Sequence, residues 1–377
     1  MESKSGNTGN FCAALSKFLV YSCGNQSIDQ WDPKVIQILA KALIGARNKR
    51  ALKHLMINSK LTQEAVMEER ELVTETVLQI QDKPKINEAL AFLNNFCYAN
   101  QAAQLFLVED LSIHRTLVPI TVKLCQQLVI AGQDVKRNLM VTITNVLTLL
   151  TTLTADCQAA KAILPFNIWV EKGKSSCLMQ ILIDLVTNDN LGDNLIKSKV
   201  WIPYALRIIT ASLTSVECRS WLIRHPKFLN RQCSRDLDIT DDAIVPEVLW
   251  LDLLLSLTTY PDGQMWLAKN NELVDQLVDK ARENLPALAI LRNLSFHPSG
   301  RAKLLLLPNF LGLLPRCIAR NEDEIRVKLA LTSIWALAAN CHKAKVVLNK
   351  CLDFDTIDVP SNVESLFATV LSVLSIV

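Results

Sequence analysis

Glycine is scarce in this sequence, with 10 among 377 residues, where average usage of about 7% would supply roughly 26. A phosphate-cradling loop needs backbone without a Cβ in the way, so the deficit weighs against Gly-rich nucleotide sites. No G-x-S-x-G, P-loop or G-x-G-x-x-G occurs. The five histidines, His54, His114, His225, His297 and His342, form neither H-x-x-x-H nor H-E-x-x-H. No two of the eleven cysteines have C-x-x-C spacing, so Cys341-His342 with Cys351 lacks the paired ligands of a zinc site. Glu68, Glu69 and Glu71 spread over several faces of a helix and read as solvated surface rather than an acid–base pair. These absences predict a chain with no catalytic residues, cofactor, metal site or small-molecule substrate.

Excess charge is also missing. Lys and Arg total 40 against 37 Asp and Glu, the formal net charge is +3, and the sequence pI is about 8.2. A dedicated nucleic-acid binder has a pI above about 9 and a basic stripe, so no nucleic-acid partner is expected. Two basic clusters, Arg47/Lys49/Arg50/Lys53 and Arg224/Lys227/Arg231/Arg235, read as wet surface. The N-terminal MESKSGNTGN is polar and is expected to be disordered over 1–10, without the features of a signal sequence. The apolar stretch from Leu366 to Val377 is too short to span a bilayer, which takes about 20 residues; it reads as a final helix covering a core. Most cysteines, as in NNFCYA and ITVKLCQQL, sit among apolar neighbours. They are expected to be free, buried thiols of a soluble intracellular protein with no membrane contact.

What is present is helix. Half of the sequence is hydrophobic and only 6% aromatic, the composition of stacked Leu-, Ile-, Val- and Ala-rich helices. Asp32-Pro33 predicts a helix over PKVIQILAKALIG, with Gly45 as its stop. Asp82 and Pro84 are expected to open PKINEALAFLNNFCYAN, and Pro286 to open PALAILRNLSF, which His297-Pro298 closes. In the latter, Leu288, Leu291 and Leu294 line one face. In EIRVKLALTSIWALAAN, the small and apolar positions Ile325, Leu329, Thr332, Ala336 and Ala339 predict the packed stripe. No run alternates with period two, so no sheet is expected. Polar breaks fall at 171–176, 225–242 (a surface loop) and 351–362.

The helices repeat. ALAFLNNFCYANQAAQLFL from Ala89 aligns without a gap with ALAILRNLSFHPSGRAKLL from Ala287, an offset of 198. Weaker copies cover 147–164, 208–223, 253–268 and 333–348. Taking Asn95, Thr151, Ser212, Ser256, Asn293 and Asn340 as markers, the last three intervals are 44, 37 and 47 residues, which bracket the armadillo/HEAT period of about 40–47. Ala160-Lys161, Ala302-Lys303 and Ala344-Lys345 follow the turns. One helical hairpin cannot bury its apolar faces alone, whereas stacked hairpins share a core. The expected fold is therefore an all-α, armadillo/HEAT-like α-solenoid, a right-handed superhelix of about six or seven repeats over 11–377.

PALAILRNLSFHPSGRAKLLLLPNFLGLLP, followed by SIWALAANCHKAKVVL, resembles an armadillo-repeat pair. More narrowly, LRNLSFHPSGRAKLL and the run from Trp335 to Lys345 are similar to the C-terminal armadillo region of the rotatin family, whose members are far longer than this chain. The resemblance implies a non-enzymatic scaffold acting through protein partners in centriole, centrosome and ciliary basal-body assembly. The alternative is a generic armadillo adaptor in transport or GTPase regulation. Armadillo grooves use inner-helix Asn side chains on a partner's backbone, which implies a groove of Asn94, Asn95, Arg292, Asn293, Trp335 and Asn340. The same Asn residues also suit a structural role at helix ends. Importin-like grooves place Asn four residues after Trp; here that position is Ala339, and Asn340 falls one later.

Overall fold

The computed structural model describes residues 31–57, 59–163, 168–171, 174–187, 201–225, 228–229, 244–319, 323–352 and 359–375. The segment 1–10 and most of the 225–242 loop lie outside them. The chain divides into two units, Met1–Ser212 and Leu213–Val377.

In the first unit, α1 (Pro33–Gly45) and α2 (Lys49–Met56) precede three triplets, each a short helix, a second helix and a long third one. These are α3 (Lys60–Glu68), α4 (Arg70–Gln79) and α5 (Ile86–Cys97); α6 (Gln101–Leu105, continued as a π turn over Phe106–Asp110), α7 (His114–Ile130) and α8 (Gln133–Asp156); and α9 (Gln158–Ile163), α10 (Leu178–Thr187) and α11 (Ile202–Ser212). The second unit has α12 (Val216–Ile223) and α13 (Ile244–Thr258). The triplets α14 (Pro261–Ala268), α15 (Asn271–Lys280), α16 (Leu285–Ser295) and α17 (Pro298–Leu304), α18 (Pro308–Ile318), α19 (Glu324–Ala338) follow. The unit closes with α20 (His342–Cys351) and α21 (Glu364–Ser375). Within each unit the long third helices pack side by side, α5 on α8 and α8 on α11 in the first, α13 on α16 and α16 on α19 in the second. Leu288, Leu291 and Leu294 of α16 are fully buried in this stack, as their spacing predicts.

Every short first helix starts with the same local chemistry: SKLTQEAV, NQAAQLFL, CQAAK, SVECRSWL, YPDGQMWL, HPSGRAKL and CHKAKVVL. The first residue of each string precedes the helix. The fourth is small and buried: Thr62, Ala103, Ala160, Cys218, Gly263, Gly300 and Ala344. The reason is close backbone approach, because the new helix turns back onto the end of the preceding long one. A Cβ on Gly263 would stand 2.0 Å from the Leu257 carbonyl oxygen, and one on Gly300 2.2 Å from that of Leu294. Two other turns carry an extra residue in the left-handed region, Ala99 at φ 51° and Asn340 at φ 53°, and there alanine fits.

The fifth residue is a long hydrogen-bond donor. Gln104 Nε2 donates to the Cys97 carbonyl at 3.1 Å, Gln264 Nε2 to Thr258 at 2.9 Å, and Arg219 Nη1 to Leu213 at 2.8 Å. Gln63 Nε2 reaches the carbonyls of Asn95 at 2.8 Å and Tyr98 at 3.0 Å, and Arg301 Nη1 that of Ala339 at 2.8 Å. These carbonyls lie where a helix ends and its last C=O groups lose their intrahelical partners. The eighth residue, Val66, Leu107, Leu222, Leu267, Leu304 or Leu348, is fully buried.

Several expectations need correction. Of Ile325, Leu329, Thr332, Ala336 and Ala339 only Ala336 is buried: Ile325 is 58% exposed and Leu329, Thr332 and Ala339 are half-buried, while Val327, Ala330, Leu331, Ile334, Leu337 and Ala338 form most of the rest of the packed surface of α19. A helix gripped on both flanks and its back leaves only a narrow open strip, and mixed small residues occupy it. Ala302-Lys303 is two residues out of register with Ala160-Lys161 and Ala344-Lys345; Gly300-Arg301 holds that place. Asn340 lies in the turn after its helix, whereas Asn95 and Asn293 lie within theirs. Gly45 is the last residue of α1, as expected, but the left-handed cap position is not glycine. Arg47, two residues on, takes that place in the left-handed region at φ 51°, with its N–H on the Ile44 carbonyl and that of Asn48 on Leu43, a Schellman closure. Pro84 lies in a turn, and α5 begins only at Ile86. Residues 168–171 and 174–177, across the expected polar break, form a two-stranded antiparallel hairpin, Ile168 opposite Cys177.

The stretch Val135–Asp156 of α8 is long and apolar enough to cross a membrane by length and composition, and 44% of its most apolar window is buried inside the fold. The hydroxyls of Thr142, Thr144, Thr148, Thr151 and Thr154 each donate to the carbonyl four residues earlier, which hides their polarity.

Candidate functional site

The open strip of the long helices is where side chains are left over after packing. On α5 it holds Asn87, Ala91, Asn94 and Tyr98; on α16, Ala289, Arg292 and Phe296; on α19, Ile325, Lys328, Thr332 and Trp335. Turn-by-turn spacing puts each set on one helix face.

The strip of the first unit is neutral and already paired. Asn94 is half-buried, and its Oδ1 accepts from Thr152 Oγ1 on α8 at 2.7 Å. One face-length away, Asn145 Nδ2 donates to Asn87 Oδ1 at 2.9 Å. Asn95 points elsewhere: its Nδ2 donates to the Lys53 carbonyl at 2.8 Å, at the end of α2.

The strip of the second unit is aromatic and cationic. Phe296 is 40% exposed and Trp335 37%, and their ring centroids are 6.3 Å apart with planes tilted 55°. Arg292, one turn before Phe296, is half-buried. Its Nε is covered without a hydrogen-bond partner, and it makes no ion pair among the described residues. Lys328 is paired with Glu324 on its own helix. Asn293, by contrast, is buried, with its Nδ2 on Thr258 Oγ1 at 3.5 Å. Asn340 is exposed in its left-handed turn.

The structure thus brings Arg292 and Trp335 onto one open surface with Phe296, and puts Asn94 on the corresponding strip of the other unit. Asn95 and Asn293 direct their amides inward, and Asn340 serves the turn. Sequence reasoning missed Phe296. The signal was available, because the alignment at an offset of 198 sets it opposite Tyr98, which is 60% exposed.

Elsewhere several charged groups are absorbed by the fold. Arg47 pairs with Glu71 and Glu75, and Lys49 Nζ donates to Gln79 at 2.9 Å, so part of the first basic cluster is neutralised. Arg219, nearly buried, binds Asp262 at 3.1 Å and lies 3.6 Å over the Tyr260 ring. Of the described cysteines, Cys97, Cys125, Cys157, Cys218 and Cys317 are buried, Cys341 is half-buried and Cys351 exposed. Burial pushes the Cys125 thiol up to about 12 and that of Cys218 to about 11. No group of three or more His, Cys, Asp or Glu placed to hold a metal occurs among the described residues.

No family model matches the chain. Over 107 residues, 27% of the chain, it is 31% identical to rotatin of Mus musculus, and over 106 residues 28% identical to rotatin of Homo sapiens. The match spans 5% of each relative's length. Among solved structures, an engineered protein superposes with a TM-score of 0.66 at 13% identity, covering 99% of this chain and 86% of that one. A second, from work on a phosphorylation switch in the interaction between cadherin and beta-catenin, superposes with a TM-score of 0.53 at 13% identity, covering 99% and 78%. The fold is an α-solenoid of the armadillo kind, and over those 107 residues the sequence is similar to rotatin.

Proposed function

We propose that this chain is a protein-interaction scaffold module that works, as its likeness to rotatin implies, at the centriole, centrosome and ciliary basal body. The observation that carries the interaction reading is the strip of the second unit: two exposed aromatic rings beside an arginine that no carboxylate in the described fold neutralises. Trp, Tyr and Arg dominate the energetics of protein interfaces because they offer large rigid area with directional donors. On stacked helical repeats, a partner's helical or extended segment lies across successive long helices. Asn94, on the strip of the first unit, and Asn340, exposed in its turn in the second, are further candidate contacts of the two units.

The test is localisation and capture. A tagged chain expressed in ciliated cells is expected at centriolar foci, with proximity labelling returning proteins of the same structures. Arg292→Glu is expected to lower that labelling by about tenfold, the loss of one charge-assisted contact of about 1.5–3 kcal/mol, at an unchanged melting temperature. A diffuse or nuclear-rim signal would remove the centriolar part of the reading. Unchanged labelling by the Glu variant would move binding off this strip.

A further inference from the structure

The strip between α16 and α19 has a definite chemical preference, and naming it deepens the scaffold reading on which it rests. Three observations converge. No carboxylate among the described residues pairs with Arg292; the strip's other charges, Lys328 and Glu324, are paired with each other. Asp252, half-buried on α13 at the other flank of α16, makes no ion pair with Arg292. The covered, unpartnered Nε of Arg292 means that part of its hydration has already been lost without replacement, so a carboxylate arriving at the guanidinium meets a cation whose desolvation is partly complete. The planar fork of arginine matches a carboxylate with two parallel N–H bonds, which an ammonium does not offer. One helical turn away, Phe296 and Trp335 make an open aromatic corner, with centroids 6.3 Å apart and planes tilted 55°, suited to receive an apolar or aromatic side chain edge-on. Burying these two rings is worth more than any rim charge, while the arginine fixes which segment may bury them.

We infer that this strip takes a peptide segment of a protein partner in which an Asp or Glu stands beside a large apolar or aromatic side chain. A basic segment would meet Arg292 with like charge. A purely acidic segment would leave the aromatic corner wet. The corresponding strip of the first unit, with Asn94 and Asn87 already hydrogen-bonded, has no such cation and no such corner among the described residues, so the preference belongs to the second unit.

The experiment uses the whole chain and defined probes: a random copolymer of glutamate and tyrosine, polyglutamate, a copolymer of lysine and tyrosine, and an oligothymidylate. Binding is read by anisotropy at about 0.15 M salt, where surface charges beyond about 8 Å are screened. The Glu–Tyr copolymer is expected to bind at least tenfold more tightly than polyglutamate or the Lys–Tyr copolymer. Arg292→Glu is expected to weaken it tenfold or more, Arg292→Gln several-fold, and Trp335→Ala several-fold. Lys123→Glu, the same charge change at an exposed residue of α7, should leave it unaltered. Arg292→Gln keeps the test alive should either of the harsher variants fail to fold. The inference is overturned if polyglutamate binds as well as the Glu–Tyr copolymer, or if the Lys–Tyr copolymer or the oligothymidylate binds best. It is equally overturned if Lys123→Glu weakens binding as much as Arg292→Glu. These outcomes concern ligand chemistry alone; loss of all partners at the centriole would instead strike the parent scaffold reading.

Discussion

At the scale of single residues, two of the described glycines have no substitute. Gly263 and Gly300 sit where a methyl group would fall 2.0 and 2.2 Å from the backbone oxygens of Leu257 and Leu294, and backbone cannot step aside as a side-chain tip can. Gly300→Ala is expected to cost about 1–3 kcal/mol by overpacking, seen as a lower urea midpoint with an unchanged slope. The cysteines separate as cleanly. The thiols of Cys97, Cys125 and Cys218 are buried and pushed up, so they stay protonated and covered. Under native conditions iodoacetamide is expected to modify Cys351, which is exposed, well before those three, and peptide mass spectrometry before and after denaturation reads the order.

At the scale of elements, the helix reversals decide stability. Gln63 serves two carbonyls at the end of α5 from the start of α3, and no other described residue of α3 donates to them. Gln63→Leu is expected to lower stability by about 1–3 kcal/mol, the cost of leaving buried acceptors unmet, measured by thermal melting of the helical signal. Ala99 offers the opposite test. It is exposed and held at φ 51°, where a Cβ is strained by about 1–2 kcal/mol. Ala99→Gly is expected to raise the melting temperature, because the relief exceeds the added freedom of the unfolded chain, about 0.5–1 kcal/mol.

At the scale of the whole molecule, buried titratable groups set a pH window. The thiols of Cys125 and Cys218 move from an ordinary 9.0 up to about 12 and about 11, mainly through burial. A raised folded-state value means that stability is fully present below pH 9 and lost as pH rises toward those values. His114 moves the other way, lowered from 6.5 by burial and then by Arg115; its contribution is present above pH 6.5 and lost as pH falls. Urea midpoints are expected to be flat between about pH 6.5 and 9 and to drop on both sides. A midpoint still rising at pH 10 would contradict this assignment of the thiols.

The sequence by itself determined that the chain would be helical and built in repeats. Leu288, Leu291 and Leu294 recur on one helix face, and ALAFLNNFCYAN and ALAILRNLSFHP are close enough to align, because local periodicity and a shared reversal leave marks in adjacent letters. It did not determine which stripe of α19 faces inward, since a helix packed on three sides is apolar nearly all round and its open strip is set by its neighbours. Nor did it separate Asn95 and Asn293, whose amides close the fold, from Asn94 and Arg292 one residue away, because one helical residue is a turn of about 100°. The seven-fold start of the short helices was present in the letters but invisible there: glycine, alanine, threonine and cysteine look unlike one another. Only the backbone of the preceding helix, pressing on the same position each time, makes them equivalent.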